Sequence, residues 1–297
     1  MALIEGPDLL HGGEELFRLN RCCACDHIYQ NPRPSVEEIG KYYPEDYAPF
    51  FLAIEDEPHW WSRLSRRYGR YRRCHAVHVA AKRAGRLLDV GCATGIFLEG
   101  MRRFGWDVQG VEPSSYAARY ARERFGLPVF EGHLEEAPLQ ARSFDVITLW
   151  DVLEHVHEPR EVLARIHELL RAGGLLVMSL PNPDSLEARL FGRYWLGWDL
   201  PRHLNLFRPA RLREHLAAQG FEVRTIRSFT SGYSMFLMSL EVYLNTRGYN
   251  GTATRKLFSL WPFRLISKVY YNGPASWFNL SSVMVVFAVR QPDGNTR

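Results

Sequence analysis

The chain has 297 residues, 46% of them hydrophobic and 24% charged, with a formal net charge of +4, which reads as a soluble, globular chain long enough for one large domain with appendages or two small ones. No stretch reaches the roughly 18 uninterrupted apolar residues of a bilayer-crossing helix. MALIEGPDLLHGGEELF lacks the basic start, apolar run and cleavage site of a secretory leader, so a cytoplasmic location is expected. The five cysteines, Cys22, Cys23, Cys25, Cys74 and Cys92, are too few and too clustered for a disulfide framework and are expected to be reduced.

In chain order, residues 1–57 form a Cys-containing segment, with Cys22 and Cys25 as one C-x-x-C, half of a tetrahedral zinc site. Residues 1–21 contain no second pair, so zinc is not expected. Residues 58–84 read as a basic amphipathic helix: SRLSRRYGRYRR carries six arginines and no acid. Trp60, Leu64, Tyr68, Tyr71, His75 and His78 recur at helical spacing and are expected to be its buried face, with the arginines in water. The rival reading, a run that grips RNA or an anionic membrane, is disfavoured.

From residue 85 short β-rich runs alternate with helical patterns, the signature of an α/β, Rossmann-like, mainly parallel sheet. Seven strands are expected: RLLDV, WDVQGV, LPVF, FDVITLW, GLLVMSL, FEVRTI and SVMVVFAV. GIFLEGMRRFG, PSSYAARYARERFG, PREVLARIHELLRAGG and PARLREHLAAQG are the helices, each closed by glycine. Two inserts interrupt the pattern, at about 181–208 and 231–280. The second is rich in aromatic and aliphatic residues. Packing against its own domain is the favoured reading, and peripheral membrane contact through 231–270 stays open.

LLDVGCATGIFLEG is the richest stretch. Asp89 closes a strand, and Gly91, Ala93 and Gly95 let the main chain turn without a Cβ in the way, Ala93 on the condition of a negative φ. The helix that follows offers its free N–H groups to an anionic group. A dinucleotide fingerprint and a P-loop both fit poorly, because Ile96 stands where the former needs glycine and no G-K-S/T follows. Glu112 ends the second strand, where a carboxylate can accept both ribose hydroxyls. Ser114 and Ser115 are better placed to cap the next helix.

The run D-V-G-C-A-T-G resembles the first motif of class I S-adenosylmethionine-dependent methyltransferases, and LWDVLEHV and ELLRAGGLLVMSLPN resemble their passages after the fourth strand and into the fifth. The resemblance covers residues 86–182 and implies S-adenosylmethionine as cofactor. It would be held by Asp89, Gly91, Cys92, Ala93, Gly95, Phe97, Glu112 and Pro113, with His133 and Leu134 beside the adenine edge and Trp150 and Asp151 at the methionine end. His155 then faces the acceptor and is the first candidate base, with His203 of DLPRHLNLF second; hydrogen bonding within a loop is the alternative for each.

Asp151, Glu154 and His155 are also similar to the acid-x-x-Glu-His cluster that binds a divalent cation in ubiquinone-type O-methyltransferases. Consecutive residues of a turn point different ways, however, so a structural role is favoured and no metal is assigned. Related enzymes carry an N-terminal module with two C-x-x-C pairs, which makes residues 1–57 a degenerate zinc-ribbon-like segment.

The expected function is methyl transfer, most readily to oxygen, on a hydrophobic or ring-bearing small molecule such as a phenolic, polyketide or lipid-linked glycan. Aromatic residues of the inserts, such as Tyr194, Trp195, Trp198, Tyr233 and Phe236, suggest that acceptor class. Methylation of RNA or protein is the alternative, as is a non-catalytic membrane-surface or partner-binding protein of the same fold. Nucleic acid is the less favoured partner.

Overall fold

A computed structural model describes residues 1–43, 53–57, 59–229 and 232–292; Pro58 and Ser231, the expected starts of the basic helix and the second insert, lie outside the described residues. Three short strands come first, β1 (Ala2–Gly6), β2 (Phe17–Arg21) and β3 (Ile28–Gln30), followed by the long helix α1 (Trp60–Ala81). Alternation then runs through β4 (Arg86–Val90), α2 (Ile96–Arg103), β5 (Asp107–Glu112), α3 (Ser115–Phe125), β6 (Val129–Glu131), β7 (Phe144–Trp150), α4 (Pro159–Leu169) and β8 (Leu170–Pro181). The first insert carries α5 (Leu186–Phe191) and the two-residue strand β9 (Asn205–Leu206), after which α6 (Pro209–Ala218) and β10 (Phe221–Arg227) resume the pattern. The second insert is helical, with α7 (Gly232–Asn245), α8 (Gly251–Phe258), α9 (Trp261–Asn272) and α10 (Pro274–Trp277), and β11 (Val283–Arg290) ends the sheet.

The seven expected strands form one sheet in the order β10-β11-β8-β7-β4-β5-β6. The pairs from β6 to β8 are parallel, and β11 runs antiparallel to both its neighbours. Near-continuous apolar runs suit strands covered on both faces. Leu88, Ile147, Leu176 and Met284 belong to one buried cluster, while Leu87, Val146, Val177 and Val285 belong to a second. Gly105, Gly126 and Gly220 follow their helices with positive φ, as expected. The helix over PREVLARIHELLRAGG is shorter than expected: it stops at Leu169, because the buried Leu170 already pairs with Phe144 of β7 and begins β8.

The amino-terminal segment is not a free appendage. Strands β1, β2, β3 and β9 form a second, antiparallel sheet, so the first insert supplies its last strand. Phe17, Leu19 and Ile28 pack with Trp195 and Trp198 of that insert.

Helix α1 corrects the sequence reading. Trp60 is 52% exposed and Tyr68 47%, and Leu64, Tyr71 and His75 are exposed as well. The buried side chains are instead Cys74 and Val77. The rotation has two causes. Gly100 of α2 lets Cys74 approach so closely that a Cβ there would lie 2.6 Å from its sulfur and 3.0 Å from the Arg70 stem. Arg73 places its guanidinium 5.2 Å from the centre of the Trp150 ring. Arginine stems lie against the domain, and of the expected face the half-buried His78 still packs inward, beside Phe104 and Trp106, with the edge of Tyr71 near Phe104.

Candidate active site

In an open sheet of this kind a ligand binds outside the carboxyl ends of the strands, where the strand order reverses. The chain leaves β4 towards β5 and returns to β7 on the other side, which puts the reversal beside β4. Gly91 at φ +68°, Ala93 at φ +46° and Gly95 at φ +79° make the turn there. Ala93 is thus a correction, since its φ is positive. The strain, on the order of 1 kcal/mol, is opposed by its N–H donating to Glu112 Oε2 at 2.8 Å. The N–H groups of Gly91 and Cys92 donate to the Val111 carbonyl at 2.8 and 3.1 Å. Gly91 has no substitute, because a Cβ would lie 2.6 Å from Val152 Cγ2.

Glu112 also accepts the Ser114 N–H through Oε1 at 2.9 Å, while Ser114 caps α3 as expected. The carboxylate is therefore less free than the sequence suggests, but each oxygen keeps a lone pair for a ribose hydroxyl. Burial raises its pKa. Asp89 is buried, accepts from Thr148 Oγ1 at 2.6 Å and so ties β4 to β7; burial pushes its pKa up to about 7. Cys92 fills the space left by Gly110, where a Cβ would lie 2.6 Å from its sulfur. Phe97 meets Trp150 edge-on at 5.2 Å, and Trp150 Nε1 is a buried donor with no partner among the described residues. Pro113 and His133 are exposed and Leu134 is buried. The His133 N–H donates to Glu136 Oε2 at 3.0 Å, so that donor is not free for an adenine edge. Asp151, at φ +57°, accepts from the Ser179 hydroxyl through Oδ1 at 2.7 Å.

A second constellation stands beyond the end of β7. Glu154, His155 and His203 each present a donor atom, all within 4.8 Å of one another; among the described residues no other group so suits a cation. Divergence within the turn is thereby corrected for Glu154 and His155, although Asp151 stays outside the group. The Nδ1 atoms of His155 and His203 lie 3.0 Å from the Arg202 carbonyl and 2.9 Å from the Gly197 carbonyl. A carbonyl only accepts, so Nδ1 holds the proton in both rings and each Nε2 carries a lone pair, with His203 Nε2 lying 3.8 Å from Asp199 Oδ2. Burial, and then each ring's effect on the other in the case of His155, holds His155 well below the usual histidine range; burial also lowers His203. Both oxygens of Glu154 are buried without a partner among the described residues, and burial pushes its carboxyl well up.

Several residues that hold this constellation escape a reading of the sequence. The Tyr43 hydroxyl lies 2.9 Å from His155 Nδ1. Arg202, fully buried, bridges Asp8 at 2.6 Å and Asp199, so the amino-terminal segment is pinned beside the histidines. The pairing of Asp8 with a residue 194 positions away has no local signal. The D-L-P-R-H context of Arg202 was the one available hint. Cys22 and Cys25 belong to no cation-type group among the described residues.

A crevice of this form, at the order reversal of a sheet with one antiparallel strand, is that of a class I S-adenosylmethionine-dependent methyltransferase, with S-adenosylmethionine as cofactor. The methyltransferase domain family matches residues 64–226, more than half of the sequence, and the chain belongs to that family. It is similar to the ubiquinone biosynthesis O-methyltransferase of Marinobacter nauticus, 32% identical over 169 residues that cover 52% of this chain and 69% of that one. The mitochondrial ubiquinone biosynthesis O-methyltransferase of Schizosaccharomyces pombe is 39% identical over 112 residues, 35% of this chain and 40% of that one. The chain spans 40% of the length of the Schizosaccharomyces pombe relative and 50% of that of the ubiquinone biosynthesis O-methyltransferase of Cereibacter sphaeroides. The fold is like that of magnesium protoporphyrin IX methyltransferase from Synechocystis PCC 6803 with bound SAH, at a TM-score of 0.53 and 15% identity, covering 84% of this chain and 97% of that one.

Proposed function

We propose that this chain transfers the methyl group of S-adenosylmethionine to an oxygen of a small hydrophobic or ring-bearing acceptor. The observation that carries this reading is the pair of neutral imidazoles, each with Nδ1–H fixed on a carbonyl, beside a buried carboxyl at the end of β7. Their Nε2 atoms are bases at neutral pH. As the acceptor oxygen bonds to the methyl carbon, the carbon–sulfur bond breaks and its electron pair stays on sulfur. The acceptor proton passes to Nε2 of His155, with His203 as the second candidate. The names of the Marinobacter nauticus and Schizosaccharomyces pombe relatives support oxygen as the methylated atom.

Two imidazole nitrogens and a carboxylate also fit a divalent cation, and the Glu154 oxygens, unpartnered among the described residues, favour one. When bound, such an ion supplies Lewis acidity that lowers the pKa of an acceptor hydroxyl. Tyr43 and Arg202 keep His155 oriented in either case.

A peripheral membrane contact through residues 231–270 belongs to the same reading, and nucleic acid does not. Several arginines of α1 are already engaged within the protein, Arg66 with Glu57 at 3.1 Å, Arg67 with Glu55 at 3.7 Å and Arg73 over Trp150. Incubation with the methyl donor and a simple catechol or hydroquinone, followed by mass spectrometry, tests the function. A methyl ether is expected, lost in His155→Ala. Methylated RNA or protein, or no product from protein that binds the donor, would overturn it. Because His155 is held well below its usual range, the rate should stay nearly flat from roughly pH 8 to 6.5, whereas an ordinary histidine base, with a pKa near 6.5, would lose about half of it.

A further inference from the structure

We infer, resting on the membrane contact proposed for residues 231–270, that α1, α9 and α10 together form one face that docks on an anionic lipid bilayer. Two helices carry large apolar side chains on their exposed faces, beside exposed cations. On α9 Ser267 is buried and the Tyr271 hydroxyl donates to Glu187 at 2.7 Å, while the charged Arg264 and Lys268 are exposed. The apolar side chains face away, with Leu265 and Ile266 exposed and Val269 70% exposed. Just beyond α9, Ala275 is buried while Trp277 is 77% exposed and Phe278 is exposed. On α1 the arrangement repeats, with arginine stems and Cys74 inward and Trp60, Leu64 and Tyr68 outward. A water-facing helix turns its large apolar side chains inward, and a contiguous apolar patch of this kind marks a surface that meets something else.

The two helices are neighbours. Lys268 of α9 lies 5.2 Å from the centre of the Tyr68 ring, and Arg72 of α1 lies 5.7 Å from the same ring. The stripes on α1 and α9 therefore join, and cations sit between and around them. Residues 58–81 and 251–278 contain no aspartate or glutamate, and the nearby Glu55 and Glu57 are paired with Arg67 and Arg66. A second copy of the chain is a poor occupant, because a twofold contact would set this cationic face against itself. Apolar and aromatic side chains at the level of the acyl boundary, with the exposed Arg264 and Lys268 of α9 among phosphate headgroups, satisfy both halves of the surface.

Flotation with vesicles tests this, using phosphatidylcholine alone and an equal mixture with phosphatidylglycerol, with S-adenosylhomocysteine calorimetry run in parallel as the check on folding. The protein should float with the anionic vesicles, less so as salt is raised, and its tryptophan emission should shift to the blue. Ile266→Glu with Trp277→Ser, and separately Leu64→Glu, should each lower the bound fraction at least about fivefold and leave S-adenosylhomocysteine binding unchanged. If only the first variant loses binding, the contact stays with the second insert and the joint face is wrong. Equal binding to neutral and anionic vesicles overturns the headgroup selectivity. If neither vesicle binds protein that still takes up S-adenosylhomocysteine, the membrane contact itself falls and methyl transfer stands. A concentration-dependent dimer without vesicle binding assigns the face to a second copy.

Discussion

The two halves of the active site are built by different means. The cofactor cradle is local: a turn of five residues, 91–95, between β4 and α2, closed by one glutamate from the next strand. The acceptor side is assembled from afar, with Asp8, Tyr43, Glu154, Arg202 and His203 brought together from three parts of the chain. The cradle works mainly through backbone conformation, whereas the acceptor side works through side chains whose charge or tautomer is set by burial. The first kind of site survives changes elsewhere in the molecule; the second depends on the whole assembly.

Mutations should separate the halves. The largest effect is expected for Arg202→Leu, which leaves two buried carboxylates, Asp8 and Asp199, unpaired. A loss of about 3–5 kcal/mol of stability should be read from urea unfolding, with the amino-terminal segment the first to come loose in hydrogen exchange. An undiminished urea midpoint would mean that the two regions are not coupled through this residue.

Gly91→Val comes next. The left-handed φ and the approach of Val152 should weaken S-adenosylhomocysteine binding by about 100-fold, roughly 2.7 kcal/mol. Circular dichroism should remain that of the folded protein.

Glu154→Gln is expected to act in opposite directions on stability and turnover. Burial raises the Glu154 pKa, so the folded state binds more protons than the unfolded one above the ordinary glutamate range. Its contribution to stability is therefore present at low pH and lost as pH rises past about 4.5. The variant removes that loss and should be more stable by about 1–2 kcal/mol at neutral pH, with the gain vanishing near pH 4 and methyl transfer much reduced. The smallest effect is expected for Ala93→Gly, which relieves a positive φ: a gain of at most about 1 kcal/mol in thermal unfolding and little change in cofactor affinity.

The sheet was legible because its strands are apolar runs bounded by glycine, and that pattern depends on no distant residue. Legibility failed where tertiary contacts set orientation. The periodicity of α1 identified a helix but not which side packs, because the close approach of Cys74 to Gly100 and the placing of Arg73 over Trp150 outweigh the burial of Trp60 and Tyr68. For Ala93 the sequence implies a negative φ, and the Glu112 bond that makes the positive value tolerable is invisible in it. His155 and His203 each stand in a motif legible in the sequence. Their meeting through Arg202 and Gly197 carbonyls needed the structure.

Everything proposed for the acceptor side presumes that the donor occupies the crevice above β4. Calorimetric titration of S-adenosylhomocysteine into the purified protein addresses this most directly. One saturable binding event, abolished or greatly weakened by Gly91→Val, is the outcome expected of a cradle formed by the turn and Glu112. A folded protein that gives no binding signal, or a Gly91→Val variant that binds as well as the parent, would contradict it.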